Sequence, residues 1–503
     1  MLVQRGKTVN DSVPEPSRDL QRNALGMWDL VFFVVAAAAP LAVMSGVAPL
    51  AIQFGGIGAP GGYLLGGIAM FVFAIGYTAM TRYVPNPGAF YAYISEGLGR
   101  TIGGGAAFVA LASYIPIAVG FVPAIGVFAQ QSAESVFGLH VPWGVWATIG
   151  GVIVAVLGYL NVTLSAKVLG TILILEVLIL LVFTVPVVVQ GGADGLSLDG
   201  FSPGNIFAPG VGGLFVLSFG AFLGFESTAI YRGETRNGEK AVPRATYIAV
   251  GFLAVFYSLV VWAVIMSFGE SQAVEAAGSD PAEMFFVAMT QWVGKPVSDA
   301  MHLLLVTSAL ASVLAVHNAS ARYLHALARD GVLPRVLAGT DPKTHSPANA
   351  SLVVTALTVL GVGGFQLFGA DPYLQTFLWL NGIGIAGIIG LQVLCSVAIV
   401  VFFARDSHGV GIVRRLVAPT AAALALTAAA LALTAALYLI VENFSVLTGA
   451  AAATNTALLL VVPVAFAVGA VATRRARRVP DDLRPAPSSD AGLVQGPSRI
   501  EGA

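Results

Sequence analysis

Val34-Val35-Ala36-Ala37-Ala38-Ala39-Pro40-Leu41-Ala42-Val43-Met44-Ser45-Gly46 and Ser218-Phe219-Gly220-Ala221-Phe222-Leu223-Gly224-Phe225-Glu226-Ser227 belong to two apolar stretches, each interrupted in its middle. A helix in lipid has no water to satisfy freed peptide groups. An interruption therefore persists only where it is buried in protein or lines a polar cavity. Two interruptions at matching places in two halves of a chain point to a binding site between them.

The rest of the chain supplies the membrane. It has 503 residues, of which 57% are hydrophobic and 10% charged, and its mean hydropathy is +0.85. Soluble domains carry about 25% charged residues, so the composition is that of a polytopic membrane protein. The formal net charge of -1 says nothing about partners. The single cysteine, Cys395, lies in an apolar span, where it reads as a small buried hydrophobe. No short apolar stretch with a cleavage site precedes Trp28, so the first span is expected to stay in the protein.

At roughly 20 apolar residues per crossing, about 12 spans are expected. They are Trp28–Ile52, Gly61–Thr81, Ile102–Gln130, Pro142–Asn161, Lys167–Val189, Gly210–Tyr231, Ala245–Ser267, Val297–Leu324, Ala348–Phe368, Pro372–Ala404, Val417–Val441 and Ala450–Thr473. They are numbered one to twelve below. Of the 25 lysines and arginines, all but Lys295 fall on one side of this arrangement. The bias of Lys and Arg toward the cytoplasm then puts both termini and these loops inside. The opposite loops carry Asp194, Asp199, Glu270, Glu275, Asp280 and Glu283.

The expected organisation is a polar, disordered tail over 1–23, a transmembrane domain over 24–473 and a second disordered tail over 474–503. Spans one to five (about 28–190) and six to ten (about 210–404) form two units, with extra helices over about 417–473. An odd number of crossings per unit makes the second enter from the opposite face, so the repeat is inverted. The broken spans open the two units.

In span one, Pro40 removes a backbone donor and disfavours helix at Ala39. The small side chains of Ala36 to Ala39 and Ala42 let a ligand approach the backbone. Freed N–H groups at the start of the outer half-helix suit an anionic group such as a carboxylate. A simple proline kink is the plainer alternative. In span six, Gly220 and Gly224 flank Phe222 and Leu223, and unwound carbonyls there suit an ammonium group. Phe222 and Phe225 are candidate lids or plain packing. Glu226 sits where a carboxylate costs about 2.5–3.5 kcal/mol on insertion scales. Its candidate roles are protonation switch, cation contact or helix cap. Glu176, in Thr171-Ile172-Leu173-Ile174-Leu175-Glu176-Val177-Leu178-Ile179, must face the bundle interior. It is a candidate proton carrier, or a structural hydrogen-bond partner of a neighbouring helix.

Other chemistry is not called for. Gly56-Ile57-Gly58-Ala59-Pro60-Gly61 fits a dinucleotide-binding spacing, yet it follows no strand and contains a proline. No metal-ligand spacing, cofactor, catalytic cluster or nucleic-acid partner is indicated. The implied partners are a small molecule, a proton and the lipid bilayer. A membrane enzyme would need polar clusters at one face, and a channel would show repeated polar stripes.

Four segments resemble the amino acid–polyamine–organocation permeases. They are the span-one break; Phe219 to Glu226 with Glu234-Thr235-Arg236-Asn237-Gly238-Glu239-Lys240-Ala241-Val242-Pro243-Arg244-Ala245; Pro85-Asn86-Pro87-Gly88-Ala89-Phe90-Tyr91-Ala92-Tyr93; and Asn318-Ala319-Ser320-Ala321-Arg322 with Ala328-Arg329-Asp330-Gly331-Val332-Leu333-Pro334. The resemblance implies the leucine-transporter-type fold, an all-α 5+5 inverted repeat plus two helices. It implies secondary transport of an amino acid or amine across the cytoplasmic membrane, by symport with protons or by exchange, with spans one, two, six and seven rocking against the rest. Carried over by position, it places the substrate carboxylate at Ala39, Pro40, Leu41, Ala42, Val43, Met44 and Ser45, and the amine at Phe222, Gly224, Phe225 and Glu226. The family's Gly-Ser-Gly in the first helix is absent, and Gly238 stands where a loop proline is usual. Glu176 stands where proton-coupled relatives often carry a lysine.

Overall fold

The computed structural model describes residues 20, 23–81, 83, 84, 88–160, 162–405 and 444–475. The expected span Val417–Val441, Arg82, Pro85-Asn86-Pro87 and nearly all of both tails lie outside the described residues. The molecule is all-helical over what is described, with one isolated parallel bridge, Leu25 to Thr235. Among the described residues, nine helical stretches are long and apolar enough to cross a membrane; the first, Met27–Thr81, runs through spans one and two. Span four, Trp143–Tyr159, is apolar but shorter.

The apolar stretches set where helices form, but helices outlast them. Span three runs Arg100–Phe137 and stops at Gly138, whose φ of +65° suits the left-handed cap of a helix C-terminus. Span five runs Val162–Gln190, span seven Gly238–Phe268 and span eight Lys295–Arg329. Span nine is Ala348–Leu367, and span twelve is Ala452–Arg475. Span ten opens with a π-helical turn, Pro372–Phe377, and continues as Leu378–Arg405.

Both units follow one plan. Each begins with a broken helix and continues with a long one, and a short helix lies before the third span: Phe90–Leu98 in the first unit, Glu270–Ser279 and Met284–Trp292 in the second. Spans one, two, six and seven pack on one another, whereas span three packs against spans four, eight, ten and twelve. Small residues bring the helices close, as in membrane interiors generally. A Cβ on Gly67 of span two would lie 2.3 Å from that of Ala254 in span seven, and one on Gly469 would lie 2.4 Å from the Gly104 carbonyl oxygen. Span twelve exposes Leu460, Val464, Val468 and Val471, a stripe repeating about once per helical turn that suits a lipid-facing surface.

Candidate functional site

The first break is made by a proline and stapled by side chains from other helices. The inner half of span one, Met27–Ala37, ends as Ala39 turns left-handed (φ +45°, ψ +68°) and Pro40 starts the outer half. A residue before proline is pushed out of the right-handed helical region, and two carbonyls are released. Ser312 of span eight donates its hydroxyl to Ala37 O at 3.1 Å, and Tyr257 of span seven donates to Ala38 O at 3.1 Å. On the outer side, the Leu41 N–H donates to Glu176 Oε2 at 3.2 Å, and the Ser308 hydroxyl donates to the same oxygen at 2.9 Å. The Ala42 N–H reaches Ser308 Oγ at 3.4 Å. Glu176 thus joins spans one, five and eight. Its other oxygen, Oε1, is buried without a partner among the described residues. The next residues, Val43–Val47, form a π-helical turn, a distortion frequent at functional sites.

The second break is made by a glycine and stapled by its own helix and by tyrosines of spans two and three. The helix Val211–Gly220 ends, the chain turns through 221–224, and Gly224 adopts φ +105°. The inner half continues as 3-10 turns, Phe225–Ala229 within the interrupted span Gly210–Tyr231 expected from the sequence and Arg232–Glu234 just beyond it. The Gly224 N–H donates to Glu226 Oε2 at 3.0 Å, and the Tyr114 hydroxyl of span three donates to Oε1. Tyr77 of span two donates to the Glu226 carbonyl at 2.8 Å, and Ser227 to the Gly224 carbonyl at 2.6 Å. Both Glu226 oxygens are therefore engaged.

The breaks face each other. A Cβ on Gly224 would stand 2.8 Å from the Cβ of Ala37. Between them lies a chamber of about 120 Å³, lined by Ala37, Ala38, Ala39, Ala42 and Val43 of the first break and Gly220, Ala221, Leu223 and Gly224 of the second. Spans three, eight and ten complete it, with Tyr114, Ser312, Tyr373 and Asn381 as the polar contributions. A larger hollow, about 450 Å³, lies between spans three, four, eight and nine, away from both breaks.

Of the residues singled out from the sequence, Ala39, Ala42, Val43 and Gly224 line the chamber. Pro40, Leu41, Met44, Ser45, Phe222 and Phe225 are buried outside its lining. Phe222 packs against Tyr257 at 5.8 Å and Phe225 against Phe73 at 5.8 Å, so neither covers the chamber as a lid. Glu176 and Glu226 also stand outside the lining and hold the backbone of the breaks in shape. Tyr114, Ser312, Tyr373 and Asn381 are site residues that sequence reasoning missed. Each sits in an unbroken helical stretch, with no local signal of which way it faces.

Toward the arginine-bearing end the chamber is closed. Phe33 of span one stacks on Tyr231 of span six with centroids 4.6 Å apart. Arg322 of span eight makes a bidentate pair with Glu234, at 2.6 and 3.0 Å, and its guanidinium carbon lies 4.8 Å from the Tyr231 ring centroid. The Leu25 N–H donates to Glu234 O at 3.1 Å, and the Arg236 N–H to Leu25 O at 2.9 Å. These contacts weld the inner halves of the two broken helices together.

Comparison with known proteins agrees with this architecture. The family model described as "Amino acid permease" matches residues 29–482. A low-affinity putrescine importer of Escherichia coli K12 is 23% identical over 313 residues, covering 60% of this chain and 66% of the importer. An uncharacterized transporter of Mycobacterium tuberculosis is 28% identical over 383 residues, covering 72% of this chain and 80% of that protein. An L-asparagine permease of Streptomyces coelicolor is 24% identical over 361 residues, 69% and 70% of the two chains.

Proposed function

This chain belongs to the amino acid permease family, and we propose that it is a secondary transporter, not an enzyme, moving an amino acid or related amine across the cytoplasmic membrane by alternating access. The observation that carries this reading is the pair of breaks bordering one chamber. Freed peptide groups at mid-helix are the elements with which such folds hold small charged groups. The relatives' names, for putrescine in one case and asparagine in another, support a cargo of this chemical kind. The arginine-bearing face is cytoplasmic, with both termini there. The welded inner halves then close the cytoplasmic path.

Proton symport is the coupling we propose, with Glu176 as the carrier. Glu176 has a buried oxygen without a partner among the described residues and ties spans one, five and eight together, so taking up a proton changes what holds the first break. Protonating Glu226 would require reversing the Tyr114 hydrogen bond or losing the Gly224 one. The full chain in proteoliposomes tests this. One proton per cargo supports about tenfold accumulation for each pH unit of gradient. Glu176→Gln is expected to lose accumulation while retaining downhill flux, and Glu226→Gln to keep accumulation at a lower rate. Undiminished accumulation by Glu176→Gln would remove it from the coupling step. Uptake that ignores the gradient but requires internal substrate would establish exchange instead.

A further inference from the structure

We infer that the cargo's side chain is uncharged and mainly apolar. This rests on the reading of the chamber as the cargo site and specifies what that site selects. Beyond the two breaks and the four polar side chains named above, the wall is hydrocarbon and aromatic, with Ile117, Phe121 and Phe128 from span three and Phe377, Ile385 and Ile388 from span ten. Among the described residues, no Asp, Glu, Lys, Arg or His is part of the lining. Of the nearby carboxylates, Glu226 is engaged through both oxygens by Tyr114 and Gly224, and Glu176 through Oε2 by Leu41 and Ser308, and neither is part of the lining.

To hold the charged ends of an amino acid, the breaks exchange hydrogen bonds that side chains now make to them, such as those of Ser312 and Tyr257 to Ala37 O and Ala38 O. Nothing in the wall supplies a counter-charge for a second ammonium or a side-chain carboxylate. A charge moved from water into such a wall loses hydration that the protein does not replace. An apolar side chain gains instead, by about fourfold in affinity for each buried methylene.

The aromatic residues of the wall pack on one another. Phe121 meets Phe377 edge-on with centroids 4.8 Å apart, Tyr373 stacks on Phe377 at 5.2 Å, and Phe128 meets Tyr373 at 5.9 Å. Asn381 is the one amide side chain in the lining, which makes it the position where a charge would change the selection.

The test is uptake by the full chain in proteoliposomes of labelled leucine, methionine, phenylalanine, lysine, aspartate, putrescine and choline, with binding followed separately by thermal shift. The expected result is saturable uptake of the apolar amino acids, with efficiency at least about tenfold above the charged compounds. Efficient uptake of lysine, aspartate, putrescine or choline would overturn the inference and leave the transport reading intact. A panel in which nothing moves and nothing binds would overturn both. Asn381→Asp is expected to raise the lysine-to-leucine efficiency ratio by about tenfold. An unchanged ratio in a variant that still carries leucine would overturn the inference. If that variant fails to fold, the wild-type panel decides alone.

Discussion

The two broken helices occupy equivalent places in the repeat and are built from different chemistry. The first is broken by Pro40 and held by foreign side chains: Ser308 and Ser312 from span eight, Glu176 from span five and Tyr257 from span seven. The second is broken around Gly224 and held equally by its own Glu226 and Ser227 and by Tyr114 of span three and Tyr77 of span two. Spans three and eight are the third members of their units, and each meets the broken helix of the other unit. The topology thus fixes which helix meets which break, and the residues there are free to differ. The first break is thus tied to spans five, seven and eight, and the second to spans two and three as well as to its own residues.

The strongest way to break the comparison is to cut what the two helices share. Arg322 and Glu234 are almost fully buried, with side chains 3% and 2% exposed, and they fasten the weld between the inner halves. Arg322→Ala leaves a carboxylate without its counter-charge and should destabilise the protein by about 3–5 kcal/mol. Thermal unfolding of the purified protein in detergent measures this. Replacing both partners, Arg322→Met with Glu234→Leu, should recover most of the loss, because the penalty lies in the orphaned charge. A single variant as stable as the wild type would show that the weld contributes little.

A smaller effect isolates the second break. Gly224 has φ +105°, and a Cβ there would crowd Ala37 across the junction of the two helices. Gly224→Ala should cost about 1–3 kcal/mol through backbone strain and should slow uptake, since the added methyl pushes the two breaks apart. Normal melting and normal uptake together would mean that the second break does not depend on its glycine.

Much of this was legible in the sequence, for definite reasons. Proline at 40 and glycines at 220 and 224 announce their backbone consequences locally, so both breaks are found without tertiary information. Glu176 is marked by the apolar run around it, but its partners are not, because Leu41 and Ser308 lie 135 and 132 residues away. Arg322 and Glu234 appear in the segments that carry the family resemblance, yet their pairing joins positions 88 residues apart. The chamber's aromatic wall is the least legible part. In helices apolar all round, periodicity does not separate the face toward the chamber from the face toward a neighbour. The π-helical turns at Val43–Val47 and Pro372–Phe377 shift that facing further.

The smallest expected effect is the reciprocal substitution at the first break. Ala39 holds a left-handed conformation that costs an alanine about 1–2 kcal/mol, so glycine relieves strain there. Against this, glycine loses about 0.5–1 kcal/mol to the entropy of the unfolded chain, and removing the buried methyl forfeits about 0.8 kcal/mol. The terms nearly cancel, and Ala39→Gly should fall within about 0.5 kcal/mol of the wild type in the same melting assay. Adding a methyl at position 224 and removing one at position 39 therefore differ sharply, although both act on a left-handed residue beside the chamber. A loss above about 1 kcal/mol for Ala39→Gly would mean that the Ala39 methyl, in addition to Pro40, keeps the first break open.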